Sequence, residues 1–177
     1  TKVTIIPRTN GAGGFTLFTP SDERLESGMY SKKYLCSQLV VALGGRVAEE
    51  LIYGSDEVTT GASNDLQQVR NIARRMVAQW GFANDEMGQA PVAWEVPDGN
   101  GLANEKAASS QTELEIDLQV QRLVSDAYDT CVKMLTENRA LMDVMVDRLI
   151  EAENIDYDEL QQMRDTHFAK MAAVERV

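Results

Sequence analysis

Val58-Thr59-Thr60-Gly61-Ala62-Ser63-Asn64-Asp65-Leu66 reads as a turn that opens a long helix, with an acid in the helix's first turn. Ser63 is the expected N-cap, two residues ahead of Asp65. Leu66, Val69, Ile72, Ala73, Met76, Val77 and Trp80 recur at helical spacing and form the expected buried stripe, and Gly81 closes the helix. A second helix precedes this turn. Ser31 caps it, and Leu35, Leu39, Val40, Leu43, Val47, Leu51 and Ile52 mark its apolar face until Tyr53-Gly54 stops it. Inside it stands Gly44-Gly45, which costs about 1 kcal/mol per residue relative to alanine. That cost points to close backbone approach by a neighbouring helix or by a metal-bearing one.

Working outward, Lys2 to Ile6 is β-branched and alternating, and reads as a strand that Pro7 ends or marks as an edge. Thr9 to Gly14 supplies turn residues, and Phe15 to Phe18 reads as a second strand. A hairpin is the expectation. The glycines fit neither a Walker loop nor GxGxxG, and they precede a strand rather than a helix. Asn84 to Ser110 breaks every period and reads as a surface segment anchored by Trp94. Thr112-Glu113-Leu114-Glu115 reads as a capping box opening a third helix, with Ile116, Val120, Leu123, Val124, Ala127, Cys131, Met134 and Leu135 inward. A fourth helix, Leu141 to Ala152, turns Leu141, Val144, Met145 and Leu149 inward, and Asp156-Tyr157-Asp158-Glu159 caps the last. The fold class expected is mainly α with a small β-hairpin near the N-terminus. The chain divides into 1–88, a surface segment 89–110, and C-terminal helices 111–177.

The 177 residues are 44% hydrophobic and 25% charged, enough for a real core. No apolar run approaches the roughly 20 residues of a membrane span, and no leader is visible. The chain opens on a strand already in progress, which suggests a piece of something longer. Of the net charge of −11, little lies before Gly88 (10 acids, 9 Lys/Arg) and most after it (18 against 8). Such an acidic half excludes binding to a nucleic-acid backbone and reads as a solvated face. Cys36 and Cys131 sit in helical patterns and read as buried, reduced thiols.

Asp65 admits two readings: it caps its own helix, or it holds a metal. Glu49-Glu50 is a second acidic pair. Adjacent residues project about 100° apart on a helix, so only one can serve a given site. An ion pair with Arg46 and a solvated acid is the simpler assignment, and a metal or general-base role the sharper one. His167, the sole histidine, has no ligand-spaced companions, and no serine or cysteine has a histidine placed as base. Arg70, Arg74 and Arg75 read as surface charges.

Three stretches in order carry a resemblance: Lys2 to Arg8, Val41-Ala42-Leu43-Gly44-Gly45-Arg46-Val47-Ala48-Glu49-Glu50, and Val58 to Asp65. Together they resemble the peptidase domain of the FtsH family of membrane-bound, ATP-dependent zinc metalloproteases. Ser21 to Gly28 resembles the chloroplast and cyanobacterial branch. The resemblance continues through Trp80-Gly81-Phe82, weakens over Ala90 to Ser110, and returns at Glu115-Ile116-Asp117 and Ala127-Tyr128. It implies a helical peptidase domain whose zinc is held by an HExxH helix and by an aspartate matching Asp65. Glu49 and Glu50 match its supporting shell. Gly13, Gly14, Phe15 and Thr16 match an edge where an extended substrate could add by strand pairing.

The resemblance further implies protein substrates, a homo- or hetero-hexamer, an ATP-binding module elsewhere in the protein, and a thylakoid or cyanobacterial membrane held through upstream segments. HExxH is absent from these residues and is expected upstream of Lys2, so no catalytic residue is assigned here and the chain alone is expected to be inactive. The alternative is a non-catalytic descendant, serving as a structural subunit of a larger plastid membrane complex.

Overall fold

Ser31 starts the first helix as the sequence predicts: its Oγ accepts the Tyr34 amide at 3.2 Å. The helix, α1, runs Lys32–Tyr53. Gly54, at φ 87°, ends it and donates its amide to Glu50 O at 3.0 Å. A left-handed φ of that kind suits only a residue without Cβ. The computed structural model describes residues 2–7, 14–17, 28–82, 91–95 and 108–174. The chain forms two compact units, Tyr30–Thr136 and a second made of Thr1–Met29 with Glu137–Val177.

In the Tyr30–Thr136 unit, α1 packs with α2 (Ser63–Ala78) and α3 (Ser110–Glu137). Leu39, Val47, Ala73 and Met76 have no exposed surface at all. Ile116, Leu123, Ala127 and Cys131 complete the core from one face of α3. Each large apolar side chain removed from water in this way stabilises the unit by about 1.5–3 kcal/mol. Trp94 packs against the same core. Its amide and that of Glu95 both donate to Ala78 O, at 2.7 and 2.9 Å, satisfying a carbonyl that the end of α2 leaves open. Cys131 is buried and Cys36 half-buried, and both are free thiols.

Several sequence expectations fail here for physical reasons. Leu66 is 42% exposed and Met134 53% exposed, since helical spacing marks a face without fixing how far its neighbours cover it. Gly44 and Gly45 have no close neighbour among the described residues, so none of these repays their cost: an added Cβ on either would meet none of them within 4 Å. Arg74 is no simple surface charge. It is partly buried and binds Glu95 at 2.6 Å, Glu113 at 2.8 Å and Asp117 at 3.2 Å, tying α2 to α3 and to the Trp94 segment. The Glu113 carboxylate, with Glu95, raises the Arg74 pKa. Arg75 lies over the Trp80 ring at 4.7 Å. The third helix is capped by Ser109 rather than Thr112: Ser109 Oγ accepts the Thr112 amide at 3.2 Å.

The other unit holds a small antiparallel sheet in the order β2-β1-β3, with α4 (Arg139–Ala152) and α5 (Tyr157–Val174). The hairpin is present as β1 (Lys2–Thr4) and β2 (Phe15–Leu17), paired Lys2 with Leu17 and Thr4 with Phe15. The expected turn over Thr9 to Gly13 lies outside the described residues. A third strand, β3 (Asn154–Asp156), pairs with the other side of β1. Glu153 turns the chain out of α4 with φ 60°, and its carbonyl accepts both the Ile5 amide and the Thr4 hydroxyl at 3.1 Å. Ile155 fills the space beneath, fully buried. Asp156 Oδ1 accepts the Glu159 amide at 2.9 Å, the cap the sequence predicts for α5. Val144, expected inward, is 54% exposed, and α4 buries no residue fully.

Candidate functional site

The loop from α1 to α2 is built in short steps. After Gly54, Ser55–Glu57 and Thr60–Ala62 each form one 3-10 turn, with Val58 and Thr59 extended between them. Such a loop has many backbone groups to satisfy, and Glu49 satisfies its centre. The Thr59 amide donates to Glu49 Oε2 at 2.7 Å, and the Thr59 hydroxyl donates to Glu49 Oε1 at 2.9 Å. Thr59 Oγ1 in turn accepts the Gly61 amide at 3.2 Å. A Cβ on Gly61 would stand 3.2 Å from that hydroxyl and 3.8 Å from Glu49 Oε1, so glycine leaves the clamp room to close. Bonds from Thr59, backbone first, hold the Glu49 carboxyl below its ordinary pKa.

Ser63 does not cap α2. Its hydroxyl donates to Thr60 O at 2.5 Å, tightening the second 3-10 turn, and Ala62 occupies the cap position without a side-chain bond. Asp65 follows in the first turn of α2, exposed to solvent. Among the described residues its carboxylate makes no hydrogen bond and no ion pair.

Glu50 projects from the same helical turn about 100° away from Glu49. It accepts the Tyr128 hydroxyl from α3, and Arg46 Nε at 2.8 Å from its own helix. The Tyr128 bond foremost lowers the Glu50 pKa, and the same bond raises that of Tyr128. The ion pair with Arg46 is the one the sequence suggests, but Glu49 is a clamp rather than a free, solvated acid. Thr59, Gly61 and Tyr128 stand within stretches the sequence reading quoted, but none was given a role of its own. The Thr59-Thr60-Gly61 turn was a usable signal, whereas Tyr128 stood out only as part of the Ala127-Tyr128 resemblance.

The residues matched to a substrate edge lie in the other unit. Gly13 is outside the described residues. Gly14 passes so close to β1 that a Cβ would meet Thr4 O at 2.6 Å. Phe15 is half-buried, and Thr16 is exposed on β2, an outer strand of the three. His167, also in that unit, lines a groove of about 330 Å³ with Leu141, Val144 and Met163, and its Nε2 is buried without a partner among the described residues.

Zinc takes three or four protein ligands. Among the described residues no three His, Cys, Asp or Glu side chains gather. An exposed carboxylate with no competing bond has the chemistry of one such ligand, and Asp65 fits one position of a zinc site, not the whole of it. No described helix is long and apolar enough to cross a membrane.

The family model Peptidase_M41, peptidase family M41, matches residues 1–163. The chain is 46% identical over 174 residues to "ATP-dependent zinc metalloprotease FtsH 3" of Synechocystis sp., a match covering 97% of this chain and 28% of the relative. It is 43% identical over 167 residues to "ATP-dependent zinc metalloprotease FTSH 1, chloroplastic" of Arabidopsis thaliana, covering 92% of this chain and 23% of the relative. The chain thus spans about a quarter of the length of the curated relatives it matches. With a matched region that takes in α1 to α4, the Glu49–Thr59 clamp and Asp65, the chain belongs to peptidase family M41, alongside the FtsH zinc metalloproteases of cyanobacteria and chloroplasts.

Proposed function

We propose that this chain forms part of the proteolytic region of an ATP-dependent zinc metalloendopeptidase, with Asp65 as one zinc ligand. The observation that carries the reading is an exposed carboxylate, unbonded among the described residues, at the end of a loop that Glu49 holds at two points and Thr59 at a third. The remaining ligands come from an HExxH helix outside these residues. Zinc, when bound, polarises the scissile carbonyl and lowers the pKa of the attacking water. Glu49 fixes the loop backbone, so that Asp65 meets the metal without first paying to order its surroundings. The outer edge of β2 takes an extended stretch of a protein substrate by main-chain pairing. ATP acts at a separate module, the assembly is a hexamer, and the membrane is a thylakoid or cyanobacterial one.

The test uses the full-length protein. Asp65→Asn keeps the size and polarity of the side chain but removes the charge. It is expected to lower zinc content by at least tenfold on dialysis, measured by metal analysis, and to abolish cleavage of an unfolded protein. A variant that keeps zinc and cleaves normally would refute the assignment. A wild-type protein that binds no zinc and cleaves nothing would instead support a non-catalytic subunit.

A further inference from the structure

We propose that Tyr128 is a positioning residue for the loop that presents Asp65, acting through Glu50 on the last turn of α1. The proposal rests on the zinc-ligand reading of Asp65. Two adjacent glutamates divide the task. Projecting about 100° apart, they let a single helical turn reach in two directions: Glu50 to Tyr128 on α3, and Glu49 to Thr59 in the loop. The Tyr128 ring packs against the core, so its hydroxyl is offered from a fixed support. The last turn of a helix frays readily, because its carbonyls lack intrahelical partners. Apart from the Tyr128 bond, the Glu50 carboxylate is held by Arg46 within the same helix, at 2.8 Å with side chains 30% and 18% exposed. A pair of that kind stiffens the helix but does not fix it to a neighbour. The Tyr128 hydroxyl therefore decides where the end of α1, and with it the Glu49 clamp, stands relative to α3.

The test measures amide hydrogen exchange over residues 58–66 and zinc affinity by competition with a chromophoric chelator, both on the full-length protein. Tyr128→Phe keeps the ring and removes the hydroxyl. It is expected to speed exchange at the Thr59 and Gly61 amides and to weaken zinc binding, each by about tenfold, the scale for losing an outer partner of a metal site. Arg74→Gln, which breaks the separate tie between α2 and α3, is expected to lower thermal stability and leave both readouts as in wild type. Glu50→Gln supplies a second variant if Tyr128→Phe fails to fold, with a smaller shift in the same direction. Wild-type loop exchange in Tyr128→Phe, or acceleration spread evenly through all three helices, overturns the proposal. So does a loosened loop with unchanged zinc affinity, in a protein whose zinc affinity needs Asp65. If Asp65→Asn leaves zinc affinity intact, the ligand reading falls, and the exchange data alone decide the part played by Tyr128.

Discussion

Replacing Gly14 with alanine tests the architecture of the edge on which substrate pairing depends. The new Cβ would stand 2.6 Å from Thr4 O and 3.1 Å from Ile5 Cα. Carbon–oxygen contacts between strands normally sit at about 3.3–3.6 Å, so β2 and β1 must part by about 0.7 Å or more. β1 has little room to retreat. Thr4 is 5% exposed, its hydroxyl donates to Glu153 O at 3.1 Å, the Ile5 amide donates to the same carbonyl, and Ile155 is fully buried beneath. The outer strand β2 must therefore move. Overpacking of this type costs about 1–3 kcal/mol, which for a chain of this size lowers Tm by about 2–12 °C. The assay is thermal unfolding with amide exchange resolved by strand. Amides of Phe15–Leu17 are expected to lose protection while those of Asn154–Asp156 keep theirs. Substrate KM is expected to rise with kcat largely kept, the pattern for lost binding that substrate and transition state share. Unchanged Tm with full protection of β2 would refute the close-approach argument. Loss of protection in β3 ahead of β2 would show that β1 is not the anchored strand.

Three further outcomes follow from the same structure. Met76→Ala, at a fully buried position between α1, α2 and α3, is expected to cost about 2–5 kcal/mol in chemical denaturation. Gly44→Ala and Gly45→Ala, each with open space where the Cβ would go, are expected to stabilise by up to about 1 kcal/mol apiece through helix propensity; a lower Tm would show that something packs on that face. Acid is expected to loosen the loop before it unfolds the core. Glu49 and Glu50 have folded pKa values below the ordinary 4.5, so their contribution is complete above that value and lost as pH falls through the lowered ones. Exchange at Thr59 followed from pH 6 downward reads this directly, and Glu49→Gln should flatten the dependence.

The helices were legible because their cores repeat. Leu35, Leu39, Leu43 and Val47 on α1, and Val69, Ala73, Met76 and Val77 on α2, fall at the spacing that burial in a three-helix unit demands, and all are buried. Leu66 and Val144 share that spacing and are exposed, since periodicity defines a face but not how far a neighbour covers it. β3 was invisible for a different reason: three residues carry no readable alternation, and Asn154–Asp156 becomes a strand only because Glu153 delivers it to the free edge of β1. The Gly44-Gly45 expectation assumed that a conformational cost must be repaid by contact, and no described atom comes near enough. At the candidate site, the acids were visible as residue types and their partners were not. Tyr128 lies 78 residues from Glu50, and Thr59 reaches Glu49 across ten.

Those partners bear on the choice that the sequence left open at Asp65. A helix-capping acid accepts amide hydrogens from its own first turn. Here the side chain at the cap position, Ala62, accepts none, Ser63 bonds backward to Thr60, and Asp65 has no bond with any described residue. Meanwhile the loop before it carries a two-point carboxylate clamp, a threonine that relays that clamp to the Gly61 amide, and a glycine that gives both room. If the region served only to start a helix, the bonding would concentrate on the helix amides. It concentrates on the loop, and leaves one carboxylate exposed and uncommitted. That distribution is what a ligand-bearing turn requires: the backbone is fixed in advance, and the donor stays hydrated and free of competing bonds until a cation replaces its water. On this ground we propose the ligand over the cap: Asp65→Asn tests the acid, and Tyr128→Phe tests the support of the clamp.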